Sequence, residues 1–335
     1  MTSMTKMAMR YAAMVMLLLI GGATAAQKRT ELLRTRLDSL LDKNYSKVNY
    51  DTAYISRPNA NLTLKIRTSE GGSSLHVRTK ADGIRTKVDL ETSHIVKLSV
   101  GANYKGLAAA ITLNPAHLRG RNNDYEFNVN YFSNRICIEA SYQMSKTMAG
   151  GLTSSGNTDH MERGWLKTKM LNVTGYYVFN HKRFSFPAAF SQTYIQKRSA
   201  GSWLAGLSYQ GGTLKTTDDA PDKIPEARFY VGHLGIGGGY GYNWVLGRRW
   251  LLHFSMLPTF VVYNRNNMTV RGQRKEAEHM RFNMIFNERA AVVYQFSPRY
   301  FAGATLVMNN SVFDDERVVV NQNKWRARAF FGLRL

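Results

Sequence analysis

The chain has 335 residues, 44% hydrophobic and 12% aromatic, with 45 Lys and Arg against 23 Asp and Glu for a net charge of +22. One cysteine, Cys137, excludes an internal disulfide, and basic residues scattered along many segments, with no arginine-rich tail, argue against a nucleic-acid partner. The length suits two average domains or one large β-barrel, and this hydrophobic share is what alternating strands give when half of each strand faces water.

Residues 1–26 read as a cleaved secretory signal peptide. Lys6 and Arg10 make a positive start, Tyr11 to Ile20 is a short apolar run, and Ala23-Thr24-Ala25 is a small-residue cleavage site. The run is too short to span a membrane, and no later run reaches the roughly 18 apolar residues of a transmembrane helix. Loss of Lys6 and Arg10 leaves 43 cations against 23 acids, or +20. A basic exported protein points to anionic lipid or anionic solutes as partners. Residues 27–60 are expected to form a periplasmic segment with one short amphipathic helix, because Leu33, Leu37, Leu40 and Leu41 recur at helical spacing. Arg57-Pro58-Asn59 then makes a turn.

From Asn61 the hydrophobic period is two, so the chain is all-β from there on. The predicted strands are 61–68, 94–103, 105–114, 124–132, 134–143, 169–180, 187–211, 225–244, 249–264, 279–296, 299–309 and 324–335. Most reach the roughly 9–11 residues that a transmembrane strand needs. Short connections (Tyr104, Ser133, 181–186, 245–248, Ser297-Pro298) alternate with long ones (115–123, 145–167, 212–224, 265–278, 310–323), provided 187–211 counts as one broken strand. Short periplasmic turns and long outer loops are the pattern of an outer-membrane barrel. The fold expected for 61–335 is therefore a transmembrane antiparallel β-barrel of twelve strands, with both termini in the periplasm. It becomes fourteen if the hairpin 74–79/84–90, turning at Asp82-Gly83, enters the membrane.

Tyr242, Trp244, Trp250, Phe296 and Tyr300 share the lipid-facing parity beside two short turns, as a periplasmic aromatic girdle does. Gly235, Gly237, Gly239 and Gly241 share the opposite parity of one strand. With no helix after them they are no phosphate loop; they leave room for something packed against the inner wall. The segment 187–202 is the candidate. It is too long for one regular strand, and Gln192 and Gln196 interrupt its lipid parity. It is expected to bend inward with a kink at Ser199-Ala200-Gly201, placing Gln192, Gln196, Lys197, Arg198 and Ser199 in the lumen.

The run Gln196-Lys197-Arg198-Ser199-Ala200-Gly201-Ser202, followed by Gly239-Tyr240-Gly241-Tyr242-Asn243 and preceded by Tyr54-Ile55 and Pro58-Asn59, resembles an uncharacterised family of Bacteroidetes, domain of unknown function 4421. The resemblance covers roughly residues 50–335. It implies an outer-membrane β-barrel of a Gram-negative cell and brings no activity, cofactor or site residue with it.

The final strand alternates apolar Trp325, Ala327, Ala329, Phe331, Leu333 and Leu335 with Lys324, Arg326, Arg328, Phe330, Gly332 and Arg334. An apolar last strand of this kind resembles the signal read by the barrel-assembly machinery. Strands one and twelve close on each other, and their inward parities hold Lys65, Arg67, Arg326 and Arg328; Lys97 and Arg289 face inward too. Glu126 and Glu139 are the few acids on that face. Cations facing a watery lumen attract anions, unless loop acids such as Asp314, Asp315 and Glu316 neutralise them. Basic residues on the outside would meet the phosphates of outer-membrane lipids.

No cofactor motif and no metal-ligand cluster is present. Catalysis was sought in the manner of lipid hydrolases that pair Ser with His and Asn on the outer face of a barrel. His233, His253, Asn243, Ser191, Ser199, Ser202 and Ser255 are available. However, His253 and Ser255, two residues apart on one face, stand about 7 Å apart along the strand, and no carboxylate follows. The expectation is a non-enzymatic, porin-like outer-membrane protein with a narrow pore or cleft for small anionic solutes, or a structural surface protein. The alternative is a barrel enzyme acting on lipid.

Overall fold

The computed structural model describes residues 48–335 except 82–83, 95, 115–123, 155–156, 222–223, 225, 266, 271–272, 277–281 and 315–317, together with Thr35, Ser39 and Asp42. The chain divides into two units, Met1–Val48 and Asn49–Leu335. In the first, Thr35, Ser39 and Asp42 are helical; the expected signal peptide and the leucines of the expected helix lie outside the described residues. The compact second unit starts before the expected boundary at 60/61.

That unit is a closed antiparallel barrel of twelve strands. They are β1 (Leu62–Ala81), β2 (Lys97–Tyr104), β3 (Leu107–Leu113), β4 (Tyr125–Phe132), β5 (Ile136–Ser145), β6 (Leu166–Val178), β7 (Ala200–Thr216), β8 (Ala227–Leu246), β9 (Trp250–Asn264), β10 (Phe282–Gln295), β11 (Tyr300–Asp314) and β12 (Val318–Arg334). Each strand pairs with the next, and β12 closes on β1 in a ladder from Val318–Thr79 to Arg334–Thr63. Leu62 and Leu335 exchange both backbone hydrogen bonds at 3.1 and 2.8 Å, so the seam is sealed to its last residue.

The hairpin that decided between twelve and fourteen stays outside the barrel. The first half of β1 pairs with β2, while its second half pairs with Ile84–Glu91. That strand pairs with Ala149–Ser154, which pairs with Asn157–Met161. The sheet thus continues beyond the barrel wall at the long-loop end. The stretch 310–323, expected as a loop, is also mostly ladder: Asn310–Asn323, Ser311–Gln322 and Val312–Asn321 are paired. Backbone hydrogen bonds form regardless of side-chain polarity, so polar strands extend where water replaces lipid.

Parity along the strands separates two surfaces. On β9 Trp250, Phe254, Met256 and Phe260 are exposed, while Leu251, His253, Ser255, Leu257 and Thr259 are buried. Leu64, Ile66, Val100, Ile136, Ile138, Trp203, Leu207, Ile236 and Phe331 are likewise exposed on the outside. In water such a surface would be far beyond ordinary patch size; facing hydrocarbon it is the expected band of a membrane barrel.

The largest departure from expectation is 187–211. It is not one broken strand: β7 starts at Ala200, and residues 179–199 fold back as a plug at the short-turn end. Phe186–Phe190 forms a short helix, α1, capped by Ser185 with a proline in its first turn. Four of its five residues are buried. After it Gln192 takes a positive φ of 57°, which turns the chain back. Residues 50–60 strap the plug from below. Ile55–Ser56 forms a two-residue antiparallel ladder with Ile195–Gln196, and Lys197 N donates to Tyr54 O at 2.7 Å.

Apolar side chains fill this end on both sides of the plug. Ala188, Ala189 and Tyr194 pack with Ile55, Leu251, Val293, Phe301 and Phe330. Phe184 and Phe186 pack with Phe132, Cys137, Tyr176, Leu204 and Leu257. Inward apolar residues do not fit a watery lumen throughout: most pack at the plugged end, while Ile285 and Val307 line the wall above it and Leu90, Met161 and Leu166 form a separate cluster. Cys137, fully buried at the plugged end, is a packed residue.

Candidate functional site

Above the plug the lumen is polar. Its internal space is about 1320 Å³ including the part open to solvent, and it is floored by Phe190 and Ser191 of the plug with Phe132 and Phe330. The passage is therefore blind at the short-turn end.

The cations expected in the lumen have different fates. Lys65 is 7% exposed and donates to Phe190 O at 3.0 Å, Ser191 O at 3.1 Å and Gln192 Oε1 at 2.6 Å. An ammonium has three N–H groups, and all three are used; Lys65 caps the carbonyl end of α1 and leaves no donor for a solute. Arg334, not among the expected lumen cations, grips the plug likewise, donating to Gln192 O at 2.7 Å and to Gln295 Oε1 and Pro298 O at 2.9 Å each. Arg289 reaches across to Glu139 and the Tyr176 hydroxyl. Arg326 pairs with Glu126, which also accepts from Lys97 at 3.3 Å. These pairs cross the lumen between strands far apart in sequence, so they narrow it.

Arg67, Lys324 and Arg328 are left. They line the same space, and no hydrogen bond or direct ion pair holds them among the described residues, although Glu126 attracts Lys324 and Arg328 through space. β1 and β12 are neighbours, with Arg67 opposite Phe330 and Arg328 opposite Ser69. Arg67 and Arg328 are therefore neighbours on the closing seam, and Lys324, opposite Ser73, stands four residues further along β12 beyond Arg326. The loop residues 315 and 316, considered as neutralising acids, lie outside the described residues, as does the side chain of Asp314.

The inward-bending residues divide too. Gln192 and Gln196 are buried at 0% and 4% exposure. Gln196 is a hub: its oxygen accepts from Ser185 N and Asn243 Nδ2, and its nitrogen donates to Arg183 O at 2.6 Å and Arg198 O at 2.9 Å. Lys197, Arg198 and Ser199, expected in the lumen, are exposed instead, because the ladder to Ile55–Ser56 holds that stretch along the barrel's rim. Gly201 sits on the outer parity, where a Cβ would collide with the rings of Tyr240 and Tyr242. Of the glycine face, Gly235 and Gly241 are buried and Gly237 and Gly239 half-buried on the inner parity. A Cβ on Gly241 would lie 3.2 Å from the ring of Phe184 in the plug. At the rim the aromatic rings touch in sequence: Tyr242–Trp244 at 4.6 Å, Trp250–Tyr294 at 4.7 Å, Tyr294–Phe296 at 4.9 Å, with Phe331 joining Phe296 and Tyr300 at 6.3 Å each.

The Ser–His–Asn set, set aside on spacing, does come together. His253 Nε2 lies 2.9 Å from Ser255 Oγ, and His253 Nδ1 lies 2.7 Å from Asn243 Oδ1. The Cα spacing along a strand was the wrong measure, because the imidazole bridges it. Asn243 Nδ2 donates to the carbonyl of Ser185 at 3.0 Å, an obligate acceptor, so Asn243 Oδ1 must accept from His253. The histidine then carries its proton on Nδ1, and Ser255 donates to Nε2. This orientation resembles a triad, yet it faces the lumen rather than lipid. The rings of Phe184, Phe186 and Phe190 stand 5.0–5.9 Å from His253, and Ser255 is 3% exposed. His233, Ser191 and Ser202 are buried elsewhere, and Ser199 lies on the rim. Among the described residues no three His, Cys, Asp or Glu side chains converge as metal ligands.

Residues 49–334 match a domain of unknown function, DUF4421. No curated protein matches the sequence. Among solved structures the chain is similar to the outer membrane protease OmpT of Escherichia coli, at 7% identity over 86% of this chain and 100% of that one, TM-score 0.48. It is also similar to the translocator domain of the autotransporter NalP from Neisseria meningitidis (11% identity, 94% and 100% covered, TM-score 0.28) and to the toluene transporter TodX of P. putida (9% identity, 83% and 91% covered, TM-score 0.26). The fold assignment rests on the closed sheet itself.

Proposed function

This chain belongs to the DUF4421 family, a domain of unknown function, and from the geometry of its barrel we propose that it is an exported outer-membrane protein of a Gram-negative bacterium of the Bacteroidetes whose lumen is a blind cup for small anionic solutes. Membrane residence is supported by the apolar exterior and the ring-to-ring girdle, and the short-turn end then faces the periplasm. The observation that carries the cup is the pair Arg67 and Arg328, with Lys324 further along the seam, all lining the lumen with no direct ion pair among the described residues. Cations that outnumber the acids of the wall and lack a direct ion pair concentrate anions, and the plug stops them from passing through.

Planar-bilayer recording tests this. The wild-type protein shows no steady conductance. The double variant Lys65→Met/Arg334→Met, whose plug has lost both grips, conducts, and its reversal potential in a salt gradient has the sign of anion preference. Steady wild-type conductance would overturn the blind cup, and cation preference in the opened variant would overturn the anion reading.

One observation favours the lipid-acting hydrolase instead, the hydrogen-bonded Ser255–His253–Asn243 set. It ranks second because Ser255 is 3% exposed and its base His253 is enclosed by the rings of Phe184, Phe186 and Phe190, so no substrate reaches it without the plug moving. Labelling of Ser255 by a fluorophosphonate, abolished in His253→Ala, would reverse that ranking.

A further inference from the structure

Cations alone define an anion site; the rest of the wall narrows what the anion is. Asn130, Asn172 and Asn309 line the same space and make no side-chain hydrogen bond among the described residues. Gln210 Nε2 and Gln322 Oε1 meet across it at 3.3 Å, leaving an acceptor on one and a donor on the other for something else. An amide sets a donor and an acceptor side by side, and a sugar hydroxyl is both donor and acceptor, so neighbouring hydroxyls match such a wall. A bare inorganic oxyanion accepts from the amide N–H groups but leaves their carbonyl oxygens unused. A fatty acid requires a continuous apolar lining, and here Ile285 and Val307 are interspersed with amides and cations, while Phe330 and Phe132 present surface to one face of a ligand.

We infer that the cup takes an acidic sugar: a polyhydroxylated small molecule bearing a carboxylate, sulfate or phosphate, with its acid group on Arg67 and Arg328 and its hydroxyls on the amide wall. This rests on the blind-cup proposal and adds the ligand class to it. The pair on the closing seam holds the acid, and the asparagines of β4, β6 and β11 stand around the rest of the ring. The plug closes the short-turn end, so the ligand enters from the other side.

The test is calorimetric titration of the folded full chain in detergent with D-glucuronate, glucose and sulfate as probes, each repeated on Arg328→Gln and Asn172→Ala. The expected result is that glucuronate binds at least about tenfold tighter than either glucose or sulfate, a gap of about 1.4 kcal/mol. Arg328→Gln weakens glucuronate about tenfold and leaves glucose unchanged; Asn172→Ala weakens glucuronate and leaves sulfate unchanged. Equal binding of sulfate and glucuronate would overturn the sugar while leaving the anion cup standing. Equal binding of glucose and glucuronate would overturn both, as would binding of none of the three by wild-type protein whose unheated gel mobility shows it folded.

Discussion

Lys65 and Arg67 stand two residues apart on the same face of the same strand, yet they belong to two different regions of this barrel. Lys65 lies in the plugged end, where three oxygens of α1 and Gln192 meet its three N–H groups. Arg67 lies one step above, in the open lumen, with no hydrogen-bond partner among the described residues. Arg334 and Arg328 repeat the contrast on β12. An inward cation is therefore not by itself a ligand site. What it faces across the lumen decides whether it holds the protein together or stays available.

The largest expected effect follows from that contrast. Lys65→Met strands three buried oxygens, at about 1–3 kcal/mol for an unsatisfied buried group, while Arg67→Met removes one of three like charges and leaves stability unchanged or raised. Unfolding in denaturant, read by loss of heat-modifiable gel mobility, checks it; equal losses from both variants would dissolve the distinction between the two regions. Next, Asn243→Ala costs about 2 kcal/mol, because it leaves Ser185 O and His253 Nδ1 without a partner in a dry site and takes one of two donors from Gln196 Oε1. Asn172→Ala in the lumen stays within about 0.5 kcal/mol. Hydrogen exchange over 185–196 should rise in the first variant alone, since that stretch is what the network holds.

A smaller effect is expected at Gly241. Gly241→Ala brings a methyl to 3.2 Å from Phe184 and 3.1 Å from Ser255 Cβ, at about 1 kcal/mol of overpacking, whereas Gly238→Ala has its nearest neighbour at 3.6 Å and is silent. The smallest belongs to the rim. Trp250→Leu removes one stacked ring pair with Tyr294 at 4.7 Å, about 0.5–1 kcal/mol, and is read as a shift in urea midpoint in bilayers.

Much of the architecture is legible in the residues. The alternation in 324–335 states which side chains face lipid and which face the lumen, and β12 obeys it: Phe331 is exposed while Phe330 and Arg334 are buried. The alternation of turn and loop lengths favours twelve strands and leaves fourteen open; the pairing of Ile84–Glu91 with Ala149–Ser154 outside the barrel decides for twelve. Gly241 signals an object against the inner wall, and Phe184 of the plug is there. Less legible was the form of that object. Phe186–Phe190 is too short for helical periodicity, and its signals are local ones, Ser185 as cap and Pro187 after it. The triad-like set was missed because spacing between Cα atoms was used where the reach of an imidazole mattered.

The sequence by itself determined the barrel, its two faces and its closing seam, because parity and strand length are local properties of an extended chain. Only the tertiary structure decided which cations are partnered. Arg326 finds Glu126 across 200 residues of chain, and Lys65 finds Ser191 across 126. Such meetings depend on closure of the sheet and on where a folded-back segment comes to rest, and neither is written in the neighbourhood of the residues concerned.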